Sequence, residues 1–335
     1  MINYADVIVD LQCGDTGKGK VANYLVSKED EYTHVVRYNG GGNAGHTIYH
    51  NGEKLVTHFI PVGVVHKIKS IIGPGCVVNV KLLIEEIQYL ESKNINVRDY
   101  LFIDKRVHVI TEEHIEEEHD ESKVGTTKKG NGPAYRDKYS RKGIRVEQVD
   151  VLSDFMIDIY EEFYHSESQT KILFEGAQGF ELDIDWGDYP YVTSSHCTVG
   201  GACLNGVPPN KIRNVFGICK GYSTYVGSKK FEGDDPCFEE IRNIGNEFGS
   251  TTGRPRQVNW VNMNVLIKAI NINGVNQLIV NKVDVLEKVG VYKFYMDDEL
   301  IEFGSFEKFW ESFTEIIYKK TEVNTIKLSK SALTI

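Results

Sequence analysis

Residues 13–21, CGDTGKGKV, stand directly behind the apolar run ADVIVDLQ. Gly14, four residues and then Gly19-Lys20 fit G-x-x-x-x-G-K, the spacing whose amides cradle phosphate. Two features break the pattern. Val21 occupies the position where a hydroxyl should hold magnesium, and a carboxylate, Asp15, lies inside the loop. Far downstream, VNKVDVLE (280–287) contains N-K-x-D. In that spacing the Lys282 stem covers a base and Asp284 accepts from N1–H and the 2-amino group. Adenine lacks both donors, so the pair selects guanine. Taken singly, a glycine loop is equally a structural turn, and Lys282 and Asp284 are equally ordinary loop charges. Together they favour a guanine nucleotide site.

Three further stretches have the composition of anion- and amide-binding loops. VGTTKKGNGPAYRDKYSRKG (124–143) is rich in glycine, hydroxyls and cations and reads as a poor core element. FEGAQGFELDIDWGDYPYVTSS (174–195) sets Gln178 just after a strand, where ligand-facing groups lie in α/β sheets. GSTTGRPR (249–256) gathers Thr251, Thr252, Arg254 and Arg256, and arginine forks suit carboxylate or phosphate. Solvated loop charge is the plainer reading of each one alone. EEHIEEEHDES (112–122) offers His114 and His119 among carboxylates, but five apart rather than on one helix face. It reads as a solvated acidic helix face and not as a metal site.

These loops need elements to hold them. The opening run is short, β-branched and bounded by glycine, as in a strand buried within a parallel sheet. GKVANYLVSKE follows with helical spacing of Val21, Leu25 and Val26, giving strand, glycine loop and helix, whose N-terminal amides attract anions. THVVRY is a second strand and leads into the glycine-rich NGGGNAGHT. TIYHNGEKLVTHF reads as a hairpin turning at Asn51-Gly52. SIIGPGCVV, KILF, NVFGICKGY and NQLIV are strand-like; NVKLLIEEIQYLESK and SFEKFWESFTEIIYKK are helical. The alternation predicts an α/β fold with a mostly parallel central sheet flanked by helices. Without repeats or a linker, residues 1–335 read as one elaborated domain.

A net charge of −10 argues against a surface that coats nucleic acid. The six cysteines form no C-x-x-C pair and read as reduced thiols. The N-terminus lacks a basic region and cleavage site, and no apolar run is long enough to span a bilayer. The expectation is a cytoplasmic protein with neither a membrane nor a nucleic-acid partner.

In order and in character, CGDTGKGK, VVRYNGGGNAGHT, GTTKKGNGPAYRDKYSRKG, FEGAQG with DIDWGDYPYVTSS, GNEFGSTTGRPR and NKVDVLE resemble the adenylosuccinate synthetases, over roughly residues 5 to 290. The family joins L-aspartate to C6 of a 6-oxopurine nucleotide and cleaves GTP. By that resemblance Asp15 ligates Mg²⁺ and takes the purine N1 proton, so Val21 need not bind metal. His46 is the implied acid and donor to the transferring phosphoryl group. The Gly45 carbonyl is implied as a second magnesium ligand, and Lys18 as the group that neutralises developing charge. Gly17, Gly19, Lys20, Gly45 and Thr47, with Lys282 and Asp284, are implied to bind GTP. Asn43, Thr127, Gln178 and Thr193, along with Asp15, are implied to hold the nucleoside monophosphate. Arg141 reaches its phosphate from a partner subunit, which implies a homodimer. Thr252, Arg254 and Arg256 match the loop that binds aspartate. His46, between glycine loops, reads as a poor core residue.

The chain also departs from the family. Cys13 and Thr16 replace a tryptophan and a glutamate beside the loop aspartate, Tyr225 replaces an arginine, and NWVN stands where GW-x-D is usual. NTIKLSKSALTI matches the family's C-terminal guanine-binding loop poorly. The departures resemble short viral relatives that use dGMP in place of IMP on the way to 2,6-diaminopurine. Asp15 favours IMP. The small flanks at Cys13 and Thr16 favour dGMP, with a Thr16 oxygen or a loop carbonyl accepting from the 2-amino group, and dGMP is the acceptor expected here. A GTP-binding switch is the alternative of another class. It has no use for GSTTGRPR or FEGAQG, and the two nucleotide motifs lie much farther apart than in compact GTPases.

Overall fold

The structure, a computed structural model, describes residues 1–28, 31–50, 52–120, 125–249 and 253–331. Strand β1 (Ile2–Asp10) leads through the first glycine loop into helix α1 (Lys18–Val26). Strand β2 (His34–Arg37) leads through the second to the hairpin β3 (His46–His50) and β4 (Glu53–Thr57). There follow β5 (Lys69–Ile72), α2 (Val80–Ser92), β6 (Leu101–Asp104), α3 (Glu112–Asp120), α4 (Asn131–Ser140), β7 (Met156–Ile157) and β8 (Thr170–Glu175). The remainder comprises β9 (Ile212–Lys220), α5 (Met263–Asn273), β10 (Gln277–Asn281), α6 (Val283–Val289), the hairpin β11 (Tyr292–Met296) and β12 (Glu299–Phe303), α7 (Phe306–Lys320) and β13 (Thr325–Leu328).

Among the described residues nine strands form one sheet in the order β13-β10-β9-β1-β8-β2-β5-β6-β7, and every neighbouring pair is parallel. The unbroken apolar run of β1 fits this position, because a central parallel strand is covered on both faces. Successive side chains point to opposite faces. Val7 and Val9 accordingly join a core with Met263, Leu266 and Ile270 of α5, while Ile8 joins one with Val21 and Leu25 of α1 and Ile48 of β3. No helix among the described residues is long and apolar enough to cross a membrane.

The first glycine loop is pinned from below. Asn281, at the carboxyl end of β10, donates from Nδ2 to the Thr16 carbonyl at 2.6 Å. Gly17 caps α1 with φ of 100°, in the left-handed region that favours glycine. A Cβ there would stand 2.8 Å from Asn281 Nδ2. A Cβ at Gly19 would stand 2.9 Å from the Cβ of His46, so the start of β3 packs directly on the first turn of α1.

Several expectations change in detail. SIIGPGCVV is interrupted after Ile72, and only Val77–Val78 resume as strand. The segment 124–143 is not merely a solvated loop: α4 buries Ala134 and Tyr135, and the Tyr135 hydroxyl donates to the Gly75 carbonyl at 2.8 Å. The helix in 112–120 forms as expected, but His114 and Glu118 turn inward, His114 toward Asp137 and Glu118 onto the Gly130 amide. Residues 325–328, in the poorly matching C-terminal stretch, are the edge strand β13 beside β10. The hairpin β11–β12 was not anticipated.

Gly17→Ala therefore meets both a disfavoured backbone and a close contact. It should cost on the order of 1–3 kcal/mol in urea-induced unfolding and weaken nucleotide binding. Wild-type stability and binding would show that the loop does not depend on this conformation.

Candidate functional site

The carboxyl ends of parallel strands are where α/β sheets collect ligands, and here they carry buried charges: Asp10 on β1, Arg37 on β2, Glu175 on β8 and Lys220 on β9. Asp10, 1 % exposed, organises the first loop. Its Oδ1 accepts from the amides of Gln12 (2.9 Å) and Gly14 (3.3 Å). Its Oδ2 accepts from the Thr16 amide (3.4 Å), Thr16 Oγ1 (2.5 Å) and Lys18 Nζ (2.8 Å). Lys18 also donates to the Gln178 carbonyl at 2.6 Å, tying the first loop to the one after β8. Asp10 was missed in the sequence, where it reads as the last residue of an apolar run.

Asp15 stands on this loop with φ of 55° and its side chain 42 % exposed. Its Oδ2 pairs with Arg256 at 2.9 Å. Arg256 in turn pairs with Glu247 at 2.5 Å, and Glu247 receives Lys220 at 3.0 Å and the Tyr222 hydroxyl at 2.7 Å. Glu247 and Lys220 are both fully buried. Burial raises the carboxyl of Glu247, but Lys220 and Arg256 outweigh it and bring it down to about 2. Arg256, matched by the resemblance to the aspartate-binding loop, has its guanidinium engaged by Asp15 and Glu247 in this structure. Arg254 is exposed beside it, and Thr252 lies outside the described residues.

The expectation that His46 is a poor core residue is corrected. It is a buried residue, 4 % exposed, and its ring meets Glu175 and Arg37 (Arg37 Nη1 to Nδ1, 2.9 Å). Burial and then the Arg37 charge push it down to about 4, against the opposing pull of Glu175. Burial raises Glu175, yet His46 and Arg37 bring it below the usual range, so the carboxylate is the charged partner.

Asn43 accepts from Gln178 Nε2 at 3.0 Å, joining the second glycine loop to the loop after β8. Gln178 has φ of 53°, and its Oε1 is buried without a partner. Thr193 lies partly buried, its amide bonded to the Leu182 carbonyl, whereas Thr127 is exposed. Arg141 caps α4 with φ of 65° and is exposed.

On the other flank Lys20 donates to Asn281 Oδ1 (2.6 Å), Ser329 Oγ and the Ser331 carbonyl (3.1 Å). Burial, then the neighbouring Lys282 charge, pushes Lys20 down to about 8. Lys282 donates to the Gly245 carbonyl at 2.5 Å, and Asp284 lies in the first turn of α6 with Lys288 at 3.1 Å. Ser329 and Ser331 were not singled out in the sequence; parallel pairing of β13 with β10 delivers them.

The room expected around Asp15 is not there in the form anticipated. The Thr16 hydroxyl is 1 % exposed and spent on Asp10. Beside Cys13 stands Glu181, hydrogen-bonded to it and pushed up to about 7 by burial.

Hard oxygen donors suit magnesium, which keeps part of its water shell and binds through one or two protein oxygens and substrate phosphates. Asp15, 42 % exposed, offers a carboxylate of that kind on the first loop.

A family model described as adenylosuccinate synthetase matches residues 7–162 and 147–323. The adenylosuccinate synthetase of Thermodesulfovibrio yellowstonii is 39% identical over 334 residues, covering 84% of this chain and 78% of the relative. That of Geobacillus kaustophilus is 39% identical over 341 residues, covering 86% and 79%. A solved structure of the fully ligated adenylosuccinate synthetase from Plasmodium falciparum aligns with a TM-score of 0.84 at 27% identity, covering 99% of both chains. The succinoaminodeoxyadenylate synthetase of cyanophage S-2L, solved with dGMP and with dATP as energy donor, has a TM-score of 0.78 at 23% identity. It covers 100% of this chain and 95% of its own, and shares the fold.

Glu247→Gln should destabilise the protein by about 3–5 kcal/mol at pH 7, because Lys220 is left buried without a counter-charge. The Glu247 carboxyl lies lower in the fold than in the unfolded chain. Its contribution is therefore present above the ordinary glutamate range and lost as pH falls toward about 2. The stability gap between variant and wild type should narrow between about pH 5 and pH 2, and a gap independent of pH would refute the assignment.

Proposed function

From the premise that this chain belongs to the adenylosuccinate synthetase family, GTP-dependent C–N ligases, we propose that it joins L-aspartate to C6 of a 6-oxopurine nucleoside monophosphate. One observation carries the proposal. Asp15, Lys18 and the Asn43–Gln178 pair converge on one sheet edge, with Lys20, Lys282 and Asp284 on its other flank.

Asp15 takes the N1 proton of the purine, and O6 gains the charge that lets it attack the γ-phosphorus of GTP, releasing GDP. Lys18, fixed by Asp10 and the Gln178 carbonyl, supplies positive charge near the transferring group, and His46 a hydrogen bond. Positioning and charge neutralisation are what phosphoryl transfer chiefly needs. The amine of aspartate then bonds to C6, phosphate leaves with O6, and the amine gives up a proton. Asp15 and the Gly45 carbonyl would hold Mg²⁺, which when bound offsets charge on the phosphates. The glycine-loop residues Gly17, Gly19 and Thr47 belong with GTP, whose guanine Asp284 selects. Thr127, Thr193 and Arg141 belong with the monophosphate. Arg141 is exposed at the end of α4 and acts across a homodimer. Arg254, with Thr252, takes the carboxylates of aspartate.

The acceptor we favour is dGMP, because Cys13 and Thr16 beside Asp15 are smaller than the tryptophan and glutamate usual in the family. IMP is the second reading, favoured by Asp15 and by the curated relatives named above.

Phosphate release from GTP should require both aspartate and a 6-oxopurine monophosphate. Release indifferent to both would leave a GTP-binding switch as the better account. Asp15→Asn should keep the loop and lower kcat by about 10²–10⁴-fold, the ordinary worth of a positioned proton acceptor. Near-normal turnover would remove Asp15 from the chemistry. Asp284→Asn should raise the KM for GTP and relax its preference over ATP, at a cost of about 1.5–3 kcal/mol for a charged acceptor. If the unaltered enzyme already uses ATP equally well, Asp284 is not the base selector.

A further inference from the structure

His58 is the first residue after β4, and its backbone is fastened from several sides. The buried carboxylate of Glu86, on α2, accepts from the amides of His58 (2.8 Å), Phe59 (3.0 Å) and Ile60 (3.1 Å). Arg37 Nη2 donates to the His58 carbonyl at 3.2 Å. The Phe59 ring packs against Gly42, where a Cβ would stand 2.5 Å from it. A side chain carried on a backbone held this way is a rigid post for whatever it touches.

What it touches is the second glycine loop. His58 Nδ1 lies 2.7 Å from the Ala44 carbonyl. A carbonyl only accepts, so Nδ1 carries the proton and donates. Tyr189–Pro190 is the one cis peptide among the described residues, so the Ala44–Gly45 peptide is trans. In a planar trans peptide the C=O and N–H point in opposite directions. With its carbonyl turned to His58, this peptide sends the Gly45 N–H the other way. Among the described residues that amide has no hydrogen-bond partner. Gly45 is partly open to solvent and has no side chain, so what it exposes is main chain. The next residue, His46, packs on Gly19: a Cβ at Gly19 would stand 2.9 Å from the Cβ of His46. The unpaired amide therefore sits where the two glycine loops meet, and main-chain amides turned outward in a loop attract anions.

We propose that His58 is a positioning residue: by holding the Ala44 carbonyl it aims the Gly45 amide at the phosphoryl group in transfer. The proposal rests on the ligase reading. His58 touches no substrate and acts through one peptide plane. A donor aimed in advance at developing charge needs no reorientation during reaction, and a peptide left free to turn forfeits that advantage.

The test compares wild type, His58→Asn and His58→Gln. Asparagine sets its amide where Nδ1 stands and keeps a donor for Ala44; glutamine sets it nearer Nε2 and misses the carbonyl. Steady-state kinetics with GTP, aspartate and a 6-oxopurine monophosphate are read beside Tm and the Kd for GDP and for a non-hydrolysable GTP analogue. His58→Gln should lower kcat by at least about tenfold, because small misplacements of an aimed group are costly. Its KM for the monophosphate and for aspartate should be unchanged, as for an interaction that matters in the transition state. It should weaken the GTP analogue but not GDP, with Tm as in wild type, and His58→Asn should behave as wild type throughout. Equal losses in the two variants, or no loss in His58→Gln, overturn the proposal. So does a loss that weakens GDP as much as the analogue, or one that follows a fall in Tm. Failure of the ligase reading looks different: the wild type then shows no aspartate-dependent phosphate release with any 6-oxopurine monophosphate, whatever the two variants do to nucleotide binding.

Discussion

Nine strands run the same way, and the site follows from that alignment. A parallel sheet places every strand's carboxyl end on one edge, so the loops after β1, β2, β8, β9, β10 and β13 share one neighbourhood although more than three hundred residues separate the first from the last. The strands end in charge: Asp10, Arg37, Glu175 and Lys220 are each buried where a strand gives way to its loop. Buried charges survive only when paired and hydrogen-bonded. Each strand end is therefore obliged to capture a partner from a neighbouring loop, and the captured partners are Lys18, His46 and Glu247.

Those captures form a chain of alternating sign. Lys220 holds Glu247, Glu247 holds Arg256, and Arg256 holds Asp15. Lys220 and Glu247 are fully buried, Arg256 is 11 % exposed and Asp15 42 %, so the chain runs from a buried end to a solvent-facing one. The same logic sets Lys18, whose ammonium is fixed between the Asp10 carboxylate and the Gln178 carbonyl. Preorganised charge of this kind needs no rearrangement at the moment of reaction, which is where electrostatic catalysis draws its strength.

Much of this was legible in the sequence, for physical reasons that differ from residue to residue. The first loop and its helix were readable because glycine spacing and apolar periodicity are local. Asp15 and Gln178 could be picked out because they are polar residues among glycines, Lys282 and Asp284 by the N-K-x-D spacing. Asp10 was not: within an apolar run it looks like a strand end, and its importance lies in Thr16 and Lys18 folding back upon it. His46 was misjudged for the complementary reason. Its neighbours suggested an open loop, but β3 packs on Gly19 and carries the ring into the Arg37–Glu175 pair. Residues 325–331 resembled nothing by motif, because their contribution is a parallel edge strand that brings Ser329 to Lys20.

Asp10 and Thr16 also bear on how a family pattern can change while its geometry is kept. The residue after the loop aspartate is a glutamate in the sequences this chain resembles, and here it is Thr16. In this structure the Thr16 hydroxyl bonds to Asp10, and that same carboxylate receives Lys18. The loop lysine thus has its negative partner in the strand below. The flank at Cys13 is meanwhile met by Glu181, held near neutrality by burial. Lys18 is held by Asp10 and the Gln178 carbonyl, and Asp15 by Arg256.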